Sequence, residues 1–186
     1  MHNSFLKKYY FINKFDPNHL IKLDKNIILI YRNYTSKTDE KIIISIKKFC
    51  KKNRRKFYIS NDLKTALKYN LDGLYLPSFN NQIIPKSCFE RRNFKIIGSA
   101  HNIKEINQKN SQGVSEVFLS SLFKEKETYL GLYKFKKLSK VTKTKVVALG
   151  GINIKNIRRL KLIDICGFAG ISFFQKKTAP KKGPLN

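Results

Sequence analysis

Two glycine-containing turns contain the residues best suited to binding an anion. Gly150 and Gly151 directly follow the apolar run 146–149, and Asn153 behind them predicts the N-cap of a helix. A strand, a glycine turn and a helix start together direct backbone N–H groups at whatever lies beyond the strand end, and such groups suit phosphate. A second glycine-marked strand end follows at 167–172. The two turns predict a phosphate site formed by Gly150, Gly151, Ile171 and Ser172.

Polar side chains follow other apolar runs of the chain and could complete such a site. Arg32 could bind phosphate through its planar guanidinium group, or it could be a solvated arginine. Asp62 could ligate a Mg²⁺ ion that bridges a pyrophosphate, or it could cap a helix that begins at Leu63. His101 could move a proton, hold a phosphate, or form a structural hydrogen bond. The other polar candidates for ligand binding are Asn61, Ser99, Ser120 and Lys124.

Eight short apolar runs alternate with helical patterns along the chain, which is typical of repeated βα units around a parallel sheet. The predicted strands span residues 9–15, 26–31, 56–60, 74–76, 94–98, 116–119, 146–149 and 168–173. Eight such units predict a (β/α)₈ barrel of the TIM type, in which ligands bind at the carboxyl ends of the strands. The chain is short for a barrel, and the pattern lacks a full last helix. A doubly wound sheet is therefore the alternative.

The charge of the chain is strongly basic: 39 Lys and Arg against 12 Asp and Glu make a formal net charge of +27. Lys, Asn, Ile, Phe and Tyr are abundant while Trp is absent, which indicates an AT-rich coding bias. Because the basic residues are scattered, the composition favours a phosphorylated small-molecule ligand, and a basic nucleic-acid-binding protein is the alternative. We predict one domain over residues 1–175 and a basic disordered tail over residues 176–186.

The cysteines and the apolar runs bear on the cellular compartment of the protein. The three cysteines are an odd number without metal-binding spacing, which favours a reducing cytoplasm over a disulfide framework. No apolar run approaches the length of a membrane span, so we expect no membrane partner. The residue pattern leaves open whether the chain forms a homo-oligomer.

Five segments resemble, in order along the chain, the motifs of the thiamine-phosphate synthase and TenI family. The region after the second predicted strand reads YISNDLKTALKYNLDGLYLPSFN, and the next segment reads FKIIGSAHNIKEI. The later segments are VFLSSLF, KVVALGGINIKNI and GFAGISFF. The last two are the most specific matches. Many phosphate-binding barrels share a paired-glycine strand seven, so the ordered set of five, and no single motif, indicates the family.

The resemblance implies a (β/α)₈ barrel that binds a phosphorylated thiazole and a pyrimidine pyrophosphate. The family's synthase joins these two molecules and releases pyrophosphate with the help of Mg²⁺. Carried over by position, Arg32 matches the arginine after strand two, and Asn61 with Asp62 matches the family's Asn-Asp pair, Asp62 being the metal ligand. Gly150 and Gly151 match the loop that holds the thiazole phosphate.

The chain departs from the family pattern at the pyrophosphate end of this site. The family's Arg-x-Lys after strand two reads Arg32-Asn33-Tyr34 here, without the lysine, and the second metal-binding aspartate is replaced by Asn80. A charged segment, 124–127, stands where the family has a threonine-rich loop. These departures leave a non-catalytic or TenI-like binder of a thiazole phosphate or thiamine phosphate as an alternative. No catalytic residue is assigned, because no general base stands at a recognisable spacing from Ser120.

Overall fold

Eight parallel strands close into a barrel in the computed structural model, which describes residues 6–34 and 39–177, with side chains up to Gln175. The strands are β1 (Lys7–Ile12), β2 (Ile27–Tyr31), β3 (Phe57–Ser60), β4 (Gly73–Leu76), β5 (Lys95–Ala100), β6 (Glu116–Leu119), β7 (Lys145–Leu149) and β8 (Gly167–Gly170). Each strand pairs with the next in the chain, and β8 closes the ring against β1. The predicted barrel is confirmed, and the doubly wound alternative is wrong.

Helices connect the strands around the outside of the barrel. They are α1 (Pro17–Ile21), α2 (Glu40–Lys52), α3 (Leu63–Lys68), α4 (Ser87–Glu90), α5 (Ile103–Ser111), α6 (Gly131–Val141), a 3₁₀ helix (Ile157–Leu162) and α7 (Ser172–Lys177). Four of them begin behind a side chain that accepts a hydrogen bond from the first turn, the usual role of Asp and Asn at an N-cap: Asp16, Asp39, Asp62 and Asn102. No helix within the described ranges is long and apolar enough to cross a bilayer.

The hydrophobic core has two parts, one outside and one inside the barrel. The larger part lies between the outer faces of the strands and the helices. The inner part fills the barrel with the side chains of alternate strand residues and is rich in aromatic rings. Phe118 makes edge contacts with Tyr9 at 4.8 Å and Tyr75 at 5.5 Å between ring centroids. The barrel is therefore a packed support for its two ends, and not a channel.

The last strand ends earlier than the apolar run predicts. Strand β8 stops at Gly170, and the predicted strand residues Ser172 and Phe173 belong to helix α7. Both Phe173 and Phe174 are buried there, because they pack on each other and on Phe168. Lys176 and Lys177 of the predicted tail continue this helix, while residues 178–186 lie outside the described part of the chain. The division into a domain and a disordered tail stays a prediction.

The segment after β7 is also different from the prediction of a helix capped by Asn153. Its side-chain oxygen accepts from the backbone N–H groups of Lys155 and Asn156, and Asn156 in turn accepts from the N–H of Asn153. Such local bonds compete with helix formation. The helical segment starts only at Ile157 and has 3₁₀ geometry, and Ile154 before it is exposed.

Candidate ligand-binding site

The predicted ligand-binding residues lie near the carboxyl ends of strands, with Ser99 one residue before the end of β5, and the closed parallel barrel brings these ends to one face. Within this face the contacts form two groups. We call the turn 149–151 with the loop 120–124 the glycine half. We call Arg32, Tyr34, Asn61, Asp62 and Asn80, which follow β2, β3 and β4, the amide half.

The paired glycines of the glycine half are required by the backbone. Gly150 and Gly151 have φ values of +100° and +74°, in the left-handed region that glycine adopts without strain. A Cβ on Gly150 would stand 2.8 Å from the Cα of Ser121, and one on Gly151 would stand 2.4 Å from the backbone nitrogen of Lys124. The sequence therefore has glycine here because the loop after β6 lies directly against the turn.

Backbone hydrogen bonds hold that loop in place. The N–H of Leu122 donates to the carbonyl of Leu149, and the N–H of Phe123 donates to the carbonyl of Gly150, each at 2.9 Å. The hydroxyl of Ser121 donates to the carbonyl of Lys124 at 2.8 Å. These hydrogen bonds occupy the carbonyl groups of Leu149 and Gly150. The loop 120–124 therefore fixes the backbone of the glycine turn.

The other residues predicted to bind ligand near the glycine half differ in their exposure to solvent. Ser120 is buried at the end of β6, whereas Lys124 is exposed. Ile171 and Ser172 are exposed where β8 passes into α7. Since β8 pairs with β7, Ile171 and Ser172 follow the strand next to the glycine turn, as the predicted phosphate site requires. Their contact with a phosphate stays a prediction.

Arg32 in the amide half is held between aromatic rings. Its guanidinium carbon lies 5.2 Å from the ring centre of Phe11 and 5.9 Å from that of Tyr34. Such cation–π contacts orient a guanidinium group without neutralising its charge. Arg32 is half-buried, so it remains a cation that an anionic ligand at this face could contact.

Tyr34 fills the place after β2 where the related motif has a lysine. Its hydroxyl forms a hydrogen bond of 2.9 Å with the hydroxyl of Ser60, and its ring meets Phe79 edge-on at 5.7 Å. Desolvation raises the pKa of the Tyr34 hydroxyl, although Ser60 and Arg32 oppose the shift. The side chain is therefore neutral and supplies no positive charge to a pyrophosphate.

Asn61 and Asp62 form a tight turn at the end of β3. Asn61 has a φ of +61°, which asparagine tolerates better than most residues, and its side-chain oxygen accepts from the amide of Asn80 at 2.6 Å. One oxygen of Asp62 accepts from the N–H of Thr65 at 2.9 Å and caps α3. The capping role of Asp62 is thus observed, and its role as a metal ligand stays a prediction.

A buried lysine holds the loop that contains Asn80. Lys109 on α5 is fully buried and donates to the carbonyl of Asn80 at 2.8 Å and to the side-chain oxygen of Gln112 at 2.7 Å. Gln112 donates to the carbonyl and the side-chain oxygen of Asn80, both at 3.1 Å. Burial lowers the pKa of the Lys109 amine to about 8, against a weaker opposing effect of Glu105. A hydrogen-bonded chain therefore runs from α5 through Asn80 to Asn61.

Ser99 and His101 have structural partners of their own. Ser99 is buried inside β5, short of the strand end where we expected it, and its side chain is hydrogen-bonded to the hydroxyl of Tyr75. The Nδ1 atom of His101 lies 2.9 Å from a carboxylate oxygen of Glu105, which also accepts from the N–H of His101 at 2.7 Å. His101 thus forms the structural hydrogen bond that was one of its predicted roles. A ligand-binding role for Ser99 or His101 stays a prediction.

The donors present match a magnesium ion only in part. Within residues 6–34 and 39–177, no three His, Cys, Asp or Glu side chains come close enough together to hold a metal ion. Asp62 offers a carboxylate, whereas Asn80 offers an uncharged oxygen that already accepts from Gln82 and Gln112. Mg²⁺ accepts one carboxylate completed by substrate phosphates and water. The donor set therefore suits a metal that arrives together with a phosphorylated substrate.

Sequence reasoning missed Lys109 and Gln112, the two side chains that position Asn80. A signal was present, because Lys109 follows the buried Ile106 by three residues on α5 and so lies on the same face of the helix. A lysine on a buried face needs acceptors. The sequence could not identify them, because Asn80 lies 29 positions away in the chain.

The fold is a (β/α)₈ barrel, and its candidate ligand-binding residues lie near the carboxyl ends of the parallel strands. The chain belongs to the thiamine monophosphate synthase family, whose sequence profile it matches over residues 22–174. A thiamine-phosphate synthase of Latilactobacillus sakei is 31% identical over 133 residues, 67% of this chain and 59% of that protein. One from Persephonella marina is 32% identical over 137 residues, 69% of this chain and 64% of that protein. The chain thus spans less than two thirds of these relatives' length.

Solved structures agree on the architecture. A thiamine phosphate pyrophosphorylase from Pyrococcus furiosus superposes with a TM-score of 0.73 at 21% identity, covering 91% of this chain and 87% of the other. One from Bacteroides thetaiotaomicron superposes with a TM-score of 0.63 at 18% identity, covering 97% and 89%. At such identities the likeness establishes the barrel alone.

Proposed function

We propose that the chain is a divergent thiamine-phosphate synthase, which joins a thiazole phosphate to a hydroxymethylpyrimidine pyrophosphate and releases pyrophosphate. Family membership over residues 22–174, together with the anchored Gly150-Gly151 turn, is the observation that supports this activity. In the reaction, the bond between the pyrimidine methylene and pyrophosphate breaks, and the pyrophosphate leaves with the electron pair. The thiazole ring nitrogen then uses its lone pair to form the new bond to that methylene carbon. Catalysis then depends on stabilising the departing negative charge and the cation-like pyrimidine.

Different residues of the carboxyl-end face would bind the different charged groups of the two substrates. Gly150 and Gly151, with Ile171 and Ser172, would hold the thiazole phosphate through backbone N–H groups. Arg32 would bind the pyrophosphate of the pyrimidine substrate, and Asn61, Ser99, His101, Ser120 and Lys124 would line the pyrimidine and pyrophosphate positions. Asp62 is the carboxylate that would hold Mg²⁺, which supplies neutralising charge to the pyrophosphate when bound.

The direct test is turnover. Purified full-length protein is incubated with both phosphorylated precursors and Mg²⁺, and thiamine phosphate is measured after its oxidation to a fluorescent product. We expect product to form, and we expect Arg32→Met to reduce kcat/KM by about tenfold or more, the value of a lost charge-assisted contact. Arg92→Met, which removes an exposed arginine, is the matched control. No product above background would remove the synthase activity.

A second candidate function is a binder of thiazole phosphate or thiamine phosphate without turnover. Two observations favour it: Tyr34 supplies no cation, and Asn80 supplies no carboxylate. Calorimetry with thiamine phosphate and with the thiazole phosphate separates the candidates, because a binder gives heat with these ligands but forms no product. Absence of binding for both ligands would contradict either function.

A further inference from the structure

The opposite, amino-terminal mouth of the barrel has a layer of lysines that the proposed reaction does not use. Four residues on the odd-numbered strands point into the barrel: Tyr9, Tyr58, Ile97 and Val147. The residue two positions before each of them is a lysine: Lys7, Lys56, Lys95 and Lys145. Because side chains on a strand alternate between its two faces, Lys7, Lys95 and Lys145 begin their strands on the inward side at this mouth, and Lys56 directly precedes β3.

One ion pair is observed in this layer among the described residues. Glu116, at the start of β6, is buried and accepts from the amine of Lys7 and the hydroxyl of Tyr9. Lys145 lines a separate cavity together with Asp164. Lys56 and Lys95 therefore remain as basic side chains beside Lys7 at this mouth, and a bound anion would be attracted to them.

A cavity of about 250 Å³ opens at the same mouth. Its basic lining residues are Lys7, Lys25, Arg54, Arg55, Lys56 and Lys95, and within the described part of the chain no aspartate or glutamate lines it. The buried rings of Tyr9 and Tyr58 close it on the barrel side. A cavity of this size and charge suits a compact anion better than an extended chain, which would need a longer groove.

Arg55 is a nearly buried cation beside this cavity. The residue is only 6% exposed, and its Nη2 donates to the carbonyls of Leu20 at 3.0 Å and Leu23 at 2.7 Å. These bonds hold the guanidinium group in place, so its positive charge adds to the potential that an anion in the cavity would meet.

We propose that the amino-terminal mouth binds a compact anion with several phosphate groups, of the chemical class of pyrophosphate and tripolyphosphate. This site is separate from the carboxyl-end face, and it exists whether or not the chain is a synthase. Its cations surround the ligand from several strands, which suits an anion whose charge is spread over more than one phosphate.

The experiment is calorimetric titration of the full chain with tripolyphosphate at constant ionic strength, since salt screens exposed charges. The test variant is the double substitution Lys56→Gln/Lys95→Gln, and both side chains are exposed, so the fold should tolerate it. The matched control is Lys104→Gln/Lys161→Gln, which removes two exposed lysines elsewhere. We expect the test variant to weaken binding at least tenfold and the control pair to leave it unchanged.

Two further measurements separate this site from the carboxyl-end face. Because Arg32 is proposed to bind a pyrophosphate there, the titration is repeated in the Arg32→Met background, where the test pair should still weaken tripolyphosphate binding at least tenfold. In the same background tripolyphosphate should raise the melting temperature, and adding the test pair should abolish that rise. The test variant alone should retain wild-type product formation or thiamine phosphate binding.

Three results would overturn the proposal. Equal weakening in the test and control pairs would mean a diffuse ion atmosphere and no site. Loss of binding in Arg32→Met alone would place the anion at the carboxyl-end face. Binding of single-stranded RNA, lost in the test variant while tripolyphosphate does not bind, would mean that the mouth serves a nucleic acid.

Discussion

The two halves of the carboxyl-end face are built by different means. In the glycine half, backbone meets backbone: positive-φ glycines allow the loop after β6 to approach, and main-chain hydrogen bonds hold it. In the amide half, side chains make the holding contacts: Lys109 donates to the backbone carbonyl of Asn80, the Asn80 amide donates to Asn61, and Tyr34 bonds to Ser60.

This difference shows which half can change its chemistry. A turn that needs glycine at two positions tolerates almost no substitution, so its geometry is kept whatever the ligand. A side-chain network can be rebuilt one residue at a time, as long as every buried polar group keeps a partner. The departures from the family pattern at Tyr34 and Asn80 lie in the half held by side chains, whereas the charged segment 124–127 begins at the end of the loop that packs on the glycine turn.

The largest expected effect is that of Gly150→Ala, which places a side chain in the glycine half. The added Cβ would meet the Cα of Ser121 at 2.8 Å in a left-handed conformation, so we expect the free energy of unfolding to fall by roughly 3 kcal/mol. Urea denaturation measures the loss. Gly170→Ala is the control, since its Cβ would stand 3.4 Å from Phe173. Equal losses in both variants would contradict the backbone argument.

A pH-dependent effect is expected from Lys109→Met in the amide half. The pKa of Lys109 is lowered to about 8 in the folded state, so the unfolded state binds more protons between pH 8 and about 10.5. The wild type should therefore gain stability relative to Lys109→Met as pH rises through this window, by up to about 3 kcal/mol.

Chemical denaturation at several pH values measures this difference. Lys104→Met removes an exposed lysine from the same helix and serves as the control. If the difference in free energy of unfolding between the wild type and Lys109→Met stays constant from pH 8 to about 10.5, the lowered pKa of the buried Lys109 amine is contradicted.

A functional change is expected from Tyr34→Lys, which restores the positive charge missing from the amide half. If the synthase proposal is right, the new cation beside a pyrophosphate should raise kcat/KM by about tenfold, the value of one charge-assisted contact of about 1.4 kcal/mol. Tyr34→Phe, which loses only the bond to Ser60, should show no such gain. Steady-state kinetics decides, and an unchanged kcat/KM in Tyr34→Lys would mean that this position does not face the pyrophosphate.

The smallest expected effect concerns Asp62, whose capping and metal-binding roles can be separated. Asp62→Ala removes the acceptor for Thr65 and should cost about 1 kcal/mol of stability, whereas Asp62→Asn keeps an N-cap and should cost no more than about 0.5 kcal/mol. Asp62→Asn should nevertheless raise the Mg²⁺ concentration needed for activity. An unaltered Mg²⁺ requirement would leave Asp62 as a helix cap alone.

Most of the fold could be predicted from residue patterns, because each strand of the barrel is short, apolar and separated from the next by a helical or polar segment. The errors occurred where local chemistry overrides periodicity. Phe173 ends the predicted strand but instead packs against Phe174 in a short helix. The side chains of Asn153 and Asn156 bond to nearby backbone and delay the helix after β7.

The sequence by itself determined the barrel, the paired-glycine turn and the family, because strand periodicity, glycine and short ordered motifs are local properties of the chain. Only the tertiary structure decided what those residues contact: Lys109 with Asn80, Tyr34 with Ser60, and Ser121 with Gly150. It also decided that Lys7, Lys56 and Lys95, from separate parts of the chain, line one cavity. Such neighbours are set by barrel closure and strand register, which join residues far apart in the chain and leave no local pattern to read.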